Sequence, residues 1–65
     1  MIENIEIGEV YRCYHVLNNC ESYITGRLHK ITDSLLVFNL KYRTNEPKNL
    51  FSVRKNTVTK IEVLI

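Results

Sequence analysis

The sequence predicts an all-β chain, a small five-stranded and strongly bent antiparallel barrel. Three observations carry that expectation. Runs rich in β-branched and aromatic residues recur along the 65 residues, with short polar turns between them. Almost nothing in the chain repeats with a helical period. The second run changes phase midway, close to a glycine, as a strand does where it bends to curl a sheet.

Ile2, Ile5 and Ile7 come first and Gly8 follows them. They fit one helical turn or a strand equally, so this segment stays open. Val10 to Leu17 has a strand composition. Its faces are Val10, Arg12, Tyr14, Val16 and Tyr11, Cys13, His15, Leu17; neither is cleanly polar, so both are expected to be partly covered. Asn18 to Ser22 reads as a turn, because Asn and Ser bond to their own backbone. Tyr23 to Ile31 is the second strand, with Ile24, Gly26 and Leu28 on one face. Ile31 falls out of phase with them, which predicts a bulge near His29 and Lys30. After a turn at Thr32–Ser34 comes the longest strand, Leu35 to Arg43. Leu36, Phe38, Leu40 and Tyr42 share one of its faces. Residues 44–48 hold the single proline and link strands three and four.

Phe51 and Val53 alternate with Ser52 and Arg54 as a fourth strand, and Arg54-Lys55-Asn56 is a tight polar turn. Val58 and Ile61, three apart, suit one turn of tight helix. Ile61, Val63 and Ile65 then alternate as a fifth strand. The expected core is Ile24, Leu28, Leu36, Phe38, Leu40, Val53, Val58 and Ile61.

A chain of this length holds one domain, residues 1–65, and buries only about 60% of the surface its unfolded form exposes. It therefore needs an efficient closed architecture or a partner subunit. No apolar run approaches the ~20 residues that span a bilayer, and the acidic first residues lack the basic start of a signal peptide. A soluble, cytoplasmic protein without a membrane partner is expected. Cys13 and Cys20 make no disulfide framework and read as free thiols. The net charge of +2 is unevenly placed, −3 up to Thr25 and +5 from Gly26 onward. Such an asymmetry suits an anionic partner, and equally an ordinary mixed surface.

The stretch from Val53 to Ile61 resembles the second motif of the Sm/LSm family: an apolar residue, then Arg-Gly-Asn, then spaced aliphatics. The family's first motif runs from a strand-two glycine into strand three. Gly26 to Ile31, followed by Leu35 to Leu40, is similar to it. The family's aspartate falls at Thr32, with Asp33 one place later, and its nucleotide-contacting asparagine falls near Leu36. Lys55 stands at the glycine of the second motif, where the bacterial Hfq branch also carries a basic sequence. The resemblance implies an SH3-like, Sm-like barrel and a homo-oligomeric ring in which the fourth strand of one subunit pairs with the fifth of the next. It also implies a single-stranded RNA or DNA partner, and the missing polar residues of the first motif argue for weak sequence preference.

By that resemblance Arg54, Lys55 and Asn56 face the nucleic acid, and Arg54 stacks on or brackets a base, a job its planar guanidinium suits. Lys30, Lys41 and Arg43 are expected to guide phosphates, and Tyr42, between two bases, to offer a stacking ring. Each has a bland counterpart: a solvated turn, or an aromatic that fills core or interface. Cys13, His15, Cys20 and His29 include zinc-type ligands, but their spacing lacks paired knuckles, so no metal and no cofactor is expected. The carboxylates are scattered and no glycine-rich phosphate loop exists, so no enzyme is expected. The alternative function is a protein-interaction module that docks on a larger partner through an exposed strand edge near Ile61–Ile65.

Overall fold

A computed structural model describes residues 4–41, 43 and 49–64. Five strands form one antiparallel sheet: β1 (Val10–Leu17), β2 (Cys20–Ile31), β3 (Leu35–Asn39), β4 (Leu50–Arg54) and β5 (Val58–Val63). A 3₁₀ turn, Lys55–Thr57, joins the last two. The spatial order is β4-β3-β2-β1-β5. Among the described residues no helix is long and apolar enough to cross a membrane.

β1 has the bounds its composition predicts. The first turn is tighter than expected. Leu17 pairs with Cys20, so only Asn18 and Asn19 turn, with φ of 53° and 64°. Two consecutive positive φ values are the signature of a two-residue hairpin, and asparagine tolerates them. Cys20, Glu21 and Ser22, expected in the turn, instead pair with β1.

The phase break in β2 is a bulge. Leu28 pairs with Phe38 and Lys30 with Val37, which leaves His29 as the extra residue. The bulge turns Ile31 back toward the core side, opposite Leu36. Gly26 lies close against Phe38 and Asn39 of the neighbouring strand. A Cβ there would stand 2.8 Å from the Asn39 carbonyl oxygen and 3.2 Å from the Phe38 Cβ. A second irregularity separates Tyr14 and His15 where β1 meets β5.

β3 ends at Asn39 and not at Arg43. The Lys41 N–H donates to Asn39 Oδ1 at 3.0 Å, and this local bond closes a bend that ends the strand. The expected helical turn is also displaced: it lies at Lys55–Thr57, before Val58, and Val58 and Ile61 belong to β5. Ile2, Tyr42, the 44–48 link and Ile65 lie outside the described residues.

Topology dictates the shape of the sheet. β4 and β5 lie at opposite edges, about 19 Å apart if five strands lay flat. Yet Arg54 and Val58 are joined by a connector that spans ~15 Å at full stretch, and only ~8 Å as a 3₁₀ turn. The sheet must therefore curl until its edges approach. It remains open, since no ladder joins β4 to β5.

The concave side holds the core. Leu28, Leu36, Phe38 and Val53 are buried as expected, and Ile24, Leu40, Val58 and Ile61 pack against them half-buried. Tyr11 and Cys13 join the core, and His15 is buried beside it, because that face of β1 turns inward. The Tyr11 hydroxyl accepts the Glu6 N–H at 2.8 Å, so its buried oxygen is satisfied and the N-terminal segment is pinned. Burial pushes the Cys13 thiol up to about 11.

Candidate nucleic-acid interface

The turn between β2 and β3 is closed by Thr32. Its hydroxyl accepts the Leu35 N–H at 2.9 Å, and its own N–H donates to the Leu35 carbonyl at 2.9 Å. A short polar side chain that satisfies a nearby backbone donor holds such a turn without a longer loop. Asp33 and Ser34 are exposed at its tip.

The turn between β4 and β5 is held from both ends. Arg54 pairs with Leu35, and the Lys55 N–H donates to the Ser34 carbonyl at 2.9 Å, which extends the β3–β4 ladder by one bond. The Thr57 hydroxyl donates to the Arg54 carbonyl at 2.7 Å. The Val58 N–H closes the turn onto the Lys55 carbonyl. Two turns far apart in sequence are thus bonded side by side. Between them lies a recess of about 530 Å³, lined by Asp33, Ser34, Leu35, Arg54, Lys55 and Asn56. Arg54 and Asn56 are exposed and Lys55 is half-buried.

Chemically the recess offers two cations, an amide and the Ser34 hydroxyl on a fixed backbone. That set suits a phosphate or the polar edge of a base. Asp33 is the opposing feature: its carboxylate confines an anion to the Arg54–Lys55 side.

The remaining predicted residues divide. Lys30 is exposed on β2 just beyond the bulge, two positions before Thr32, so it flanks the recess. Lys41 and Arg43 follow the other end of β3. The Asn39–Leu50 pair and the Leu35–Arg54 pair bound the β3–β4 ladder, and four residue steps separate them by about 13 Å. The two cations therefore lie beyond the end of the ladder farthest from the recess. Tyr42 lies outside the described residues.

The aromatic residues also part company. Tyr11 and Phe38 are core. Tyr14 and Tyr23 pair across β1 and β2, with ring centroids 5.4 Å apart. Arg12 lies 5.0 Å over Tyr23 and Lys60 lies 5.6 Å over Tyr14. The Tyr14 hydroxyl donates to Glu62 at 3.1 Å, and Lys60 pairs with the same carboxylate at 3.2 Å. Lys60 and Tyr14 together hold Glu62 below the usual carboxylate range. The network staples β2, β1 and β5 on the outer face, and its cations already have partners.

Asp33, Ser34 and Leu35 were not singled out from the sequence as lining residues. The one signal was the Thr32–Ser34 turn, whose neighbour only the folded sheet reveals. Among the described residues, no three His, Cys, Asp or Glu side chains gather where they could share a metal ion. Cys13 is buried within β1, whereas Cys20 is exposed at the hairpin end of the β1–β2 ladder. No protein-family model matches this chain, and no curated protein or solved structure is significantly similar to it.

Proposed function

We propose that this chain is a small barrel of the Sm-like kind that binds single-stranded RNA or DNA and works as a homo-oligomer. The observation that supports this most is the Lys55 N–H to Ser34 carbonyl bond. It fixes Arg54, Lys55 and Asn56 beside a recess before any ligand arrives. Little ordering entropy is then spent on binding. Arg54 supplies a stacking plane and a charge, Lys55 a charge, and Asn56 an amide for a base edge. Lys30 guides phosphates toward the recess, and Lys41 and Arg43 act on a more distant part of the strand. The strand order β4-β3-β2-β1-β5 and the curl of the sheet are in keeping with a partly open barrel.

Filter binding of single-stranded RNA and DNA at two salt concentrations tests the proposal. A steep loss of affinity with salt is expected, because phosphate contacts release counterions.

A second function is favoured by one observation. Leu50 and Phe51 on one edge strand, and Val63 with Leu64 at the other, leave apolar surface exposed. Such edges also suit a module that docks on a larger protein by strand addition. A partner recovered by pull-down, together with no nucleic-acid binding, is the outcome that this alternative predicts.

A further inference from the structure

The curl of the sheet makes a second hollow, lined by one expected site residue, Arg54, among the described residues. β1 and β4 are not neighbours in the sheet, yet His15 and Phe51 face each other with ring centroids 6.1 Å apart. Beside them lies a cleft of about 210 Å³, whose lining includes His15, Leu17, Phe51, Ser52, Arg54 and Thr57.

Its size selects the occupant. A cavity of about 150 Å³ holds a benzene ring, and drug-sized ligands occupy about 300–1,000 Å³. One planar ring system fits here. The walls are apolar and wet: Leu17 is 60% and Phe51 37% exposed, a poor arrangement unless something covers them. The polar feature is His15, only 6% exposed, whose Nδ1 has no hydrogen-bond partner. Its Nε2 lies 3.4 Å from the Ser22 hydroxyl. If Nε2 accepts from that hydroxyl, Nδ1 is a donor; if Nε2 donates, Nδ1 is an acceptor. Nδ1 is buried, on a ring that lines the cleft. An orphaned buried nitrogen is unfavourable, and a ligand that bonds to it recovers that loss.

Arg54 settles the chemical class. It lines both this cleft and the basic recess, so the two hollows share one arginine. We propose that the β1–β4 cleft takes one base of a single-stranded nucleic acid, stacked on Phe51 with its polar edge toward His15. The attached phosphate lies at Arg54. This rests on the nucleic-acid function proposed above and adds a base-holding site to it.

The test compares a short single-stranded oligonucleotide with an abasic strand of the same length, on wild type, Phe51→Leu and Arg54→Ala. Wild type is expected to prefer the base-bearing strand, and Phe51→Leu to cut that preference about tenfold. Arg54→Ala is expected to weaken both strands. Equal binding of the two strands by wild type, or an unchanged preference in Phe51→Leu, overturns the cleft. If Arg54→Ala still weakens binding in that case, the broader function stands. If wild type binds neither strand, both proposals fall together. Should Phe51→Leu fail to fold, NMR titration of wild type with nucleoside monophosphates decides. Shifts at His15, Phe51 and Thr57 support the cleft, and their absence overturns it.

Discussion

At the residue scale the decisive contrast is between cations that line the recess and cations that lie beyond the far end of the β3–β4 ladder. Arg54 sits in a turn bonded at both ends. Arg54→Ala should lose a charge and a stacking plane, about 1–3 kcal/mol of binding if a base rests there. Lys41→Ala should lose less, and chiefly flatten the salt dependence. Titrations at several salt concentrations separate the two effects. Asp33 works against an anion in the same recess, so Asp33→Asn should tighten binding about twofold at low salt and less at high salt. The thiols differ in the same local way. Cys20 is exposed, so iodoacetamide should label it in the native protein while Cys13 resists. The folded state holds the Cys13 proton up to about 11, above its ordinary 9.0. Its contribution to stability is therefore complete below pH 9 and is lost as pH rises toward 11. Alkaline denaturation that is unchanged in Cys13→Ala, once its constant offset is removed, would count against that assignment. Residue-level burial was only half legible in the sequence. Tyr11, Cys13 and His15 went unassigned because both faces of β1 are mixed, and alternation alone cannot say which one turns inward.

At the element scale, local chemistry was legible wherever one residue type decided the outcome. The Ile31 phase break gave the His29 bulge, whereas Gly26, read as a sign of that bend, lies instead where its backbone closely approaches Asn39. Gly26→Ala would drive a Cβ onto a backbone carbonyl that cannot swing aside. A loss of about 1–3 kcal/mol is expected, read as a lowered melting temperature. The Asn18–Asn19 turn was blurred because Asn and Ser on both sides of Cys20 and Glu21 read as turn formers. Yet Cys20, Glu21 and Ser22 all pair with β1, and for Ser22 that pairing outweighs its turn preference. Glycine is better than asparagine at the second position of such a hairpin. Asn19→Gly should therefore raise the melting temperature by a few degrees, and a fall would mean that the Asn19 side chain contributes more than its φ of 64° costs. The end of β3 was missed because alternation continues past Asn39 in the sequence, while the chain bends at Leu40, where Asn39 Oδ1 accepts the Lys41 N–H.

At the scale of the whole molecule, the sequence carried the strand count and the turns, but not which turns meet. The pairing of Thr32–Leu35 with Arg54–Asn56 follows only once strand order joins two opposite edges through three residues. Among the described residues the same topology leaves the outer edges of β4 and β5 unpaired, with Val63 64% exposed beside one of them. Burying such edges against further copies is the economical outcome for a chain this small. Sedimentation should show a homo-oligomer, and a monomer across the micromolar range would refute that part of the proposal. The central claim is that the bonded pair of turns binds single-stranded nucleic acid. Filter binding of single-stranded RNA and DNA at two salt concentrations, with wild type, Arg54→Ala and Lys55→Ala side by side, tests it most directly. Binding should fall steeply with salt and be weakened by both substitutions. Wild-type-like binding by both variants, or no binding by wild type, would contradict it.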